Sequence, residues 1–503
     1  MAVNMDQKAS VDIGVHNMPD KETVAVDERD FAGWEAKAQE HGWESYTKSE
    51  ERKVIRRIDF RIIPFLWGYT VLSAVDKIII SNAALYGMKT DTHLVGQDYS
   101  WVGSIFYFGY LVAEFPSTWL LSRFPIGKFL TATSFGWSIC TLLMACTSNP
   151  GGLMALRFIM GMFEAPGLAT CTLITVIWYT KTEQPLRVAV WSATFASVYV
   201  SLLSYGIGHS TSGIASWRLL FLVLGSVSFV LSVLMLFFLP DHPTSPRFLK
   251  DKEVYIALQR LRLNSTGDEN KTFKLYQVRE ALLDWKSWVI TLFFICMNVP
   301  NGGLNTFSAQ IVSGFGFGTL TTTLLGMPTG VVQAFSSMAA TIPSRYFKNT
   351  RCFSAAFFCL VPLICSIVIR VLPSSNQGGR LTAYYCFYCF WGPYAIALSL
   401  PMANTSGHTK KITVNAMVFT AYCVANIIAP QTFRTSQAPG YKSGYNSIVG
   451  FEAGAIFLML VYFVGVQLEN KRRDRKQGDS VPVPESPDDD LTDWEKPNFR
   501  YIC

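Results

Sequence analysis

An all-α polytopic membrane fold, with twelve transmembrane helices in two six-helix bundles and both termini in the cytosol, is what this sequence predicts. Three observations carry the prediction. Of 503 residues, 50% are hydrophobic and 14% aromatic but only 16% are charged, against about 25% charged in a typical soluble chain. Twelve apolar stretches approach the roughly 20 residues needed to cross a bilayer. They fall six and six around a polar stretch, 241–285, that carries Arg247, Lys250, Asp251, Lys252, Glu253, Arg260 and Arg262.

The expected spans are 58–81, 99–121, 129–148, 151–179, 188–209, 217–239, 287–312, 318–341, 352–372, 380–402, 413–433 and 448–467. Asn404, His408 and Lys410 interrupt the pattern around the tenth and eleventh. The organisation that follows is a tail over 1–57, a bundle over 58–240, a central loop over 241–285, a second bundle over 286–467 and a tail over 468–503. Loops on one side hold Arg123 and Lys128, Lys181 and Arg187, Arg345, Lys348 and Arg351, then Lys410 and Lys411. Arg52, Lys53, Arg56 and Arg57 flank the first span on that side, and Lys471, Arg472, Arg473, Arg475 and Lys476 follow the last. The opposite loops offer Lys89, Arg380, Arg434 and Lys442. This is the positive-inside bias, and it places both tails and the central loop in the cytosol. The sequons at Asn264 and Asn270 would then stay unglycosylated. Ser122-Arg123-Phe124 with Lys128-Phe129 is echoed by Ser344-Arg345-Tyr346 with Arg351-Cys352-Phe353. A basic turn at the same place in each half suggests a parallel repeat, which builds a solute site between the halves at mid-depth.

Other classes are excluded on composition and motif. The net charge of +7 is scattered in short clusters that report topology, so no nucleic-acid partner is expected. The eleven cysteines lie in apolar surroundings, Cys503 excepted, and Cys386-Phe-Tyr-Cys389 sits in an apolar helix rather than a redox loop. Six scattered histidines build no zinc site, and no metal or cofactor is expected. Gly314-Phe-Gly316-Phe-Gly318 lacks the strand–glycine–helix setting of a nucleotide fingerprint, and no Walker A sequence occurs. ATP-driven pumping therefore has no machinery here, and no nucleophile–base arrangement suggests an enzyme. The polar, acid-containing first 50 residues carry no cleaved signal peptide.

The charges inside the spans need a reason, since a mid-membrane Asp, Lys or Arg costs roughly 2.5–3.5 kcal/mol. Asp76 and Lys77 stand late in span one. Arg157 stands at similar depth in span four, which runs the other way, so Asp76 and Arg157 can pair. Glu164, seven residues on, returns to nearly the same face about 10 Å deeper. A carboxylate loses its bias toward ionisation when its cation turns to another anion. Asp76, Arg157 and Glu164 are therefore candidates for proton coupling, and Lys77 for binding an anionic substrate. The alternative is a structural ion network that locks span one to span four. Glu114 in span two is a candidate for gating, packing or direct contact, and Arg123, Lys128 and Arg345 for gating. In span seven, Pro300 with Gly302 and Gly303 predicts a helix broken at membrane depth, where irregular backbone lines a cavity. Asn301 and Asn305, one turn apart, would present amides there, joined by Asn415 and Asn426 of span eleven unless those serve helix packing. Arg218, Arg370 and Glu452 are placed near span ends and expected to snorkel. Trp101, Trp178 and Trp217 read as an interfacial belt.

These residues resemble the fungal allantoate permease family, anion:cation symporters of the major facilitator superfamily. The resemblance is carried by Leu94-Val-Gly-Gln-Asp-Tyr-Ser-Trp101 with Ile105-Phe-Tyr-Phe-Gly-Tyr110, and by Arg157, Gly161, Glu164 and Ala165. It continues through Glu183-Gln-Pro-Leu-Arg187, Pro300-Asn-Gly-Gly303, Asn404-Thr-Ser-Gly407-His-Thr-Lys410-Lys411 and Asn426-Ile-Ile-Ala-Pro-Gln431. The tail from Asp490 to Tyr501 is similar too. The resemblance implies proton-linked symport of a small organic anion such as allantoate, ureidosuccinate or nicotinate. A monomer is expected, and the plasma membrane is the default location, with an intracellular membrane the alternative, because no sorting motif argues otherwise. The resemblance also implies an acidic–basic pair in helix one and an Arg/Glu pair seven apart in helix four, which fall on Asp76-Lys77 and Arg157/Glu164. The family's usual charged loop after helix two is reduced to Arg123 and Lys128. Transport of a specialised metabolite, in either direction, and a non-transporting nutrient receptor are the other readings.

Overall fold

The computed structural model describes residues 28–43, 46–211, 213–244, 246–264, 273–347, 349–477 and 490–503. Asn270, Lys348 and the side chains of Asn264 and Arg345 lie outside the described residues. Each of the twelve expected spans is helical. A capping box between Thr47 and Glu50 opens span one, which runs over Lys48–Leu85. At about 1.5 Å per residue it is longer than a bilayer is thick, so its basic first turns project beyond the core. Span twelve, Lys442–Gln477, projects in the same way at its other end.

Spans two (Asp98–Leu121), three (Ile126–Met144), six (Ser216–Phe238), seven (Trp285–Ser313), nine (Arg351–Val371) and eleven (His408–Thr432) are single helices. The other four are segmented. Span four is Pro150–Glu164 then Gly167–Trp178, because Pro166 supplies no amide hydrogen to continue the ladder. Span five divides into Gln184–Ser192 and Ala196–Gly208, and span eight into Thr319–Leu324 and Pro328–Tyr346. Span ten divides at a single tight turn, Tyr388–Phe390. The expected break in span seven is not there: Pro300 lies inside a continuous helix. Gly302 and Gly303 serve packing instead, since a Cβ at Gly302 would meet Ala429 and Asn426 of span eleven, and one at Gly303 would meet Phe433.

Packing is organised by a repeat. In the first half, span three packs on six, one on five and six, and two on four. Adding six to each number gives nine on twelve, seven on eleven and twelve, and eight on ten, and all of these pairs are present. Across the halves, span one meets seven, two meets eleven and five meets eight. The same operation sends the first pair to itself and exchanges the other two, as an axis along the membrane normal requires. Close approach within a half rests on small residues. A Cβ at Gly161 would overlap the Phe106 carbonyl, and one at Gly109 the Phe158 carbonyl, so spans two and four touch backbone to backbone.

The central loop is shared out rather than independent. Its helix Asp251–Asn264 is tied to the first half through Glu253 with Arg57 (2.5 Å) and Arg260 with Glu183 (2.8 Å). Its helix Leu275–Leu283 packs on span eleven. The tail 490–503 lies along the second half on the same side. There Asp493, fully buried, meets Lys410 at 2.6 Å, and the backbone of Ile502 exchanges two 2.7 Å hydrogen bonds with the Asn404 amide.

Candidate transport site

Two spans supply the charges. On span four the buried residues Leu153, Arg157, Met160, Gly161 and Glu164 form one helical stripe that faces the protein. On span one the consecutive residues Asp76 and Lys77 diverge. Asp76 is fully buried, while the Lys77 side chain is 20% exposed. The structure pairs Asp76 with Arg157 at 3.8 Å, as expected from their depths. It adds a second pair that sequence reasoning did not specify: the Lys77 ammonium donates to Glu164 Oε1, and the Ser73 hydroxyl donates to the same oxygen. Lys77 also reaches the Ser73 oxygen at 3.1 Å. Ser73 lies one turn before Lys77, and that spacing was the available signal for it.

The four side chains carry two positive and two negative charges and are not saturated. Both carboxylate oxygens of Asp76, Oε2 of Glu164, and Nε and Nη2 of Arg157 are buried without a hydrogen-bond partner. Glu164 also ends the first segment of span four, where the negative end of the helix dipole opposes a carboxylate. Lys77 and Ser73 are what hold its charge in place.

The second half contributes amides and rings. Asn305 donates to Asn301 at 3.2 Å, Asn301 donates to Asn426 at 3.1 Å, and Asn426 donates to the Tyr422 carbonyl at 2.8 Å. Asn415 does not join this chain. It lies three turns nearer the start of span eleven, its amide 3.8 Å from Met402 Sδ, because eleven residues along one helix separate it from Asn426 by about 16 Å. Sequence reasoning missed the aromatic residues that bridge the halves. Tyr107 packs edge-on against Tyr422 with ring centres 6.0 Å apart, and Tyr110 stacks on Phe419 at 5.4 Å. Each partner pair is spaced i, i+3 on its helix, a pattern that apolar periodicity alone cannot separate from core. Tyr107 stands on span two, which packs on span four, and Tyr422 stands on span eleven one turn from Asn426, so the pair joins the element that meets the charged quartet to the one that carries the amides.

The remaining candidates lie apart. Glu114 is half-buried in span two, with Oε2 unpartnered. Arg123 is exposed, 5.3 Å from the Trp119 ring. Lys128 pairs with Asp241 at 3.5 Å, a tie between spans three and six within one half. Three expectations at the rims are corrected. Glu452 does not snorkel: it is fully buried along span twelve with neither oxygen partnered, since the helix begins ten residues before it. Trp178 and Trp217 are not belt residues. Both rings are buried, and Trp217 donates to Asp91 at 2.7 Å. Lys410 is no surface loop charge either, but sits buried among Glu280, Asp284 and Asp493.

At the side away from the termini the halves are sealed together. Tyr99 donates to the Thr306 carbonyl (2.5 Å), Ser81 accepts from the Ala309 amide (2.8 Å), and Ser104 donates to the Ile427 carbonyl (2.7 Å). The Thr435 amide donates to Gln97 at 3.1 Å. The quartet therefore lies on the inner side of a closed seam.

Comparison with known proteins places this architecture. Residues 66–430 match the Major Facilitator Superfamily model. An uncharacterized transporter of Schizosaccharomyces pombe is 39% identical over 91% of this chain and 87% of its own. The allantoate permease of Saccharomyces cerevisiae is 32% identical over 90% of this chain and 87% of its own. Among solved structures, a bacterial homolog of the human lysosomal transporter Spinster shares the fold with a TM-score of 0.63, at 14% identity, over 83% of this chain and 97% of that one. On the family model and these identities, the chain belongs to the major facilitator superfamily, in its fungal allantoate permease-like branch, and is a multi-pass membrane transporter rather than an enzyme.

Proposed function

We propose that the protein is a proton-coupled symporter of a small organic anion, working by alternating access, with the Asp76–Lys77–Arg157–Glu164 quartet as its coupling centre. The observation that carries the reading is the Lys77–Glu164 pair with unused valences on the carboxylates around it. The quartet is neutral as a set. An anion that draws Lys77 or Arg157 to itself leaves the site with one net negative charge in a medium where unpaired charge is heavily penalised. Protonation of Glu164 or Asp76 restores neutrality, so one proton accompanies each monovalent anion. The amides of Asn301 and Asn305 supply donors on the facing half, and the Tyr107–Tyr422 contact closes between them. Proton-driven uptake fits a plasma membrane with the termini in the cytosol, which the distribution of basic loops supports. In that orientation the structure is closed to the outside. The allantoate permease relative supports a carboxylate solute of that kind, and the working unit of this reading is a monomer.

The test is uptake of labelled allantoate, ureidosuccinate and nicotinate in yeast lacking its own permeases of this class, at acidic and neutral pH. Uptake by the wild type is expected to rise with acidity and collapse with an uncoupler. Glu164→Gln and Asp76→Asn are expected to abolish the acid stimulation. Full acid-stimulated uptake in both variants would make the quartet a structural clamp and refute the coupling.

A further inference from the structure

Lys89 stands on the outer seam, in the short helix Met88–Asp91 between spans one and two. Its ammonium is half-buried. It donates to Gln310 Oε1 of span seven at 2.9 Å and sits 4.1 Å from the centre of the Tyr99 ring of span two and 5.9 Å from that of Phe307. The Tyr441 hydroxyl, between spans eleven and twelve, reaches the same Gln310 oxygen at 3.3 Å. Among the described residues no carboxylate forms an ion pair with Lys89. The acid of its own helix, Asp91, is engaged by Trp217, and Asp98 at the start of span two is engaged by the Val95 amide at 3.0 Å. A cation is thus covered at a closing interface with an amide and two ring faces but no counter-ion. Those contacts replace water only in part. Lys89 follows Lys77 of the quartet by twelve residues and stands just past the end of the same span at Leu85.

We propose that Lys89 is the outer receiving site for the anionic solute: with the halves parted at this end its ammonium binds the arriving carboxylate, and closure returns it to Gln310 and the Tyr99 ring. The proposal rests on the anion-symport reading above and assigns that solute a first contact ahead of Lys77 and Arg157. An anion that binds only the parted state pulls the equilibrium toward it by that difference in affinity. The sign of the charge effect agrees. Burial lowers the Lys89 pKa to about 8 in the closed state, so the protonated amine favours parting, and closure gains as pH rises through that value. Lys89 is thus a receiver and not a lock.

Two measurements on the full chain decide it. In uptake assays with labelled allantoate, ureidosuccinate and nicotinate, Lys89→Met is expected to raise KM about tenfold with Vmax within about twofold, and to remove the dependence of KM on external salt. Lys89→Arg is expected to keep the wild-type KM within about threefold. An unchanged KM in Lys89→Met, or equal defects in both variants, would overturn the proposal. The second measurement needs no solute: the distance between spin labels at Val95 and Ser375, exposed on outer loops of the two halves, in lipid nanodiscs. The parted fraction of the wild type is expected to fall as pH rises from about 7 to about 9.5, and Lys89→Met to be more closed and insensitive to pH. Parting of the outer end by Lys89→Met would make the residue a lock and reject the receiving role. If the wild type carries none of the three solutes, the symport reading loses its substrate class, while the distances still decide Lys89.

Discussion

Glu164 shows how much hangs on one side chain. It ends a helix segment, is buried, and is held by Lys77 and Ser73 with one oxygen spare. Glu164→Gln keeps the shape and removes the charge, which leaves Lys77 without its counter-ion. Breaking a buried pair from one side costs about 3–5 kcal/mol, and an arriving anion recovers part of that by taking Glu164's place. Solute affinity in Glu164→Gln is therefore expected to lose its acid dependence while binding remains measurable. Isothermal titration at two pH values checks this, and equal acid enhancement in the variant would contradict it. Ser73→Ala is expected to change affinity by only about 1 kcal/mol, as a single hydrogen bond does. At this scale the sequence was informative where charge was concerned. Asp76, Lys77, Arg157 and Glu164 stand out because an ionised group in an apolar span is costly. Ser73, Tyr107 and Tyr422 do not stand out, because hydroxyls and rings are ordinary in such helices.

Among the elements, the contact between spans two and four and the docked tail carry the clearest consequences. Gly161→Leu would drive a side chain into the Phe106 carbonyl. It is expected to reduce folded protein at least several-fold, since backbone offers no room to adjust; detergent-solubilised yield on gel filtration reads it. The tail is held by Asp493 against Lys410 and by Asp490 against Lys274 at 3.0 Å and the His408 amide at 2.6 Å. Lys410→Met would leave buried Glu280 without its cation and take the nearer cation from Asp493, while Lys286 stays on Asp284 at 2.8 Å. The cost is expected to be about 3–5 kcal/mol, whereas Lys411→Met, on the exposed face, is expected to be neutral, and thermal unfolding separates them. For Asp490, burial raises the carboxyl pKa, but the His408 amide and Lys274 outweigh it and hold it below the ordinary 3.8. The docked tail is therefore stabilised by that carboxylate above pH 3.8 and loses the contribution as pH falls through the native value. Protection of the His408 amide against hydrogen exchange, taken relative to its intrinsic rate at each pH, is expected to fall on acidification and, at neutral pH, in Asp490→Asn.

At the scale of the whole molecule the two halves are joined on one side by hydrogen bonds that are neutral apart from Lys89 to Gln310, and by the Tyr107–Tyr422 and Tyr110–Phe419 ring contacts. Such a seam opens cheaply: each neutral bond is worth roughly 1 kcal/mol, or about fivefold in a two-state equilibrium. Tyr99→Phe removes the bond to the Thr306 carbonyl and keeps the ring. It is expected to increase the parted population about fivefold by the Val95–Ser375 distance. A population that does not move would show that the rings, not the bonds, hold the seam.

Hydrophobicity and loop charge by themselves determined the twelve helices, because a bilayer demands runs of apolar residues and internally satisfied backbone. Span depth and antiparallel direction determined the Asp76–Arg157 pair. Tertiary structure alone decided how Pro300 and its glycines are used, since a proline bends or fits a helix according to what packs against it. It alone decided that Glu452, Trp178, Trp217 and Lys410 are interior, because a span's end in sequence is not its end in the packed bundle. The joining of Lys77 to Glu164, and the closure of Lys89 against the other half, depend on which helices meet in space, and no local pattern encodes that.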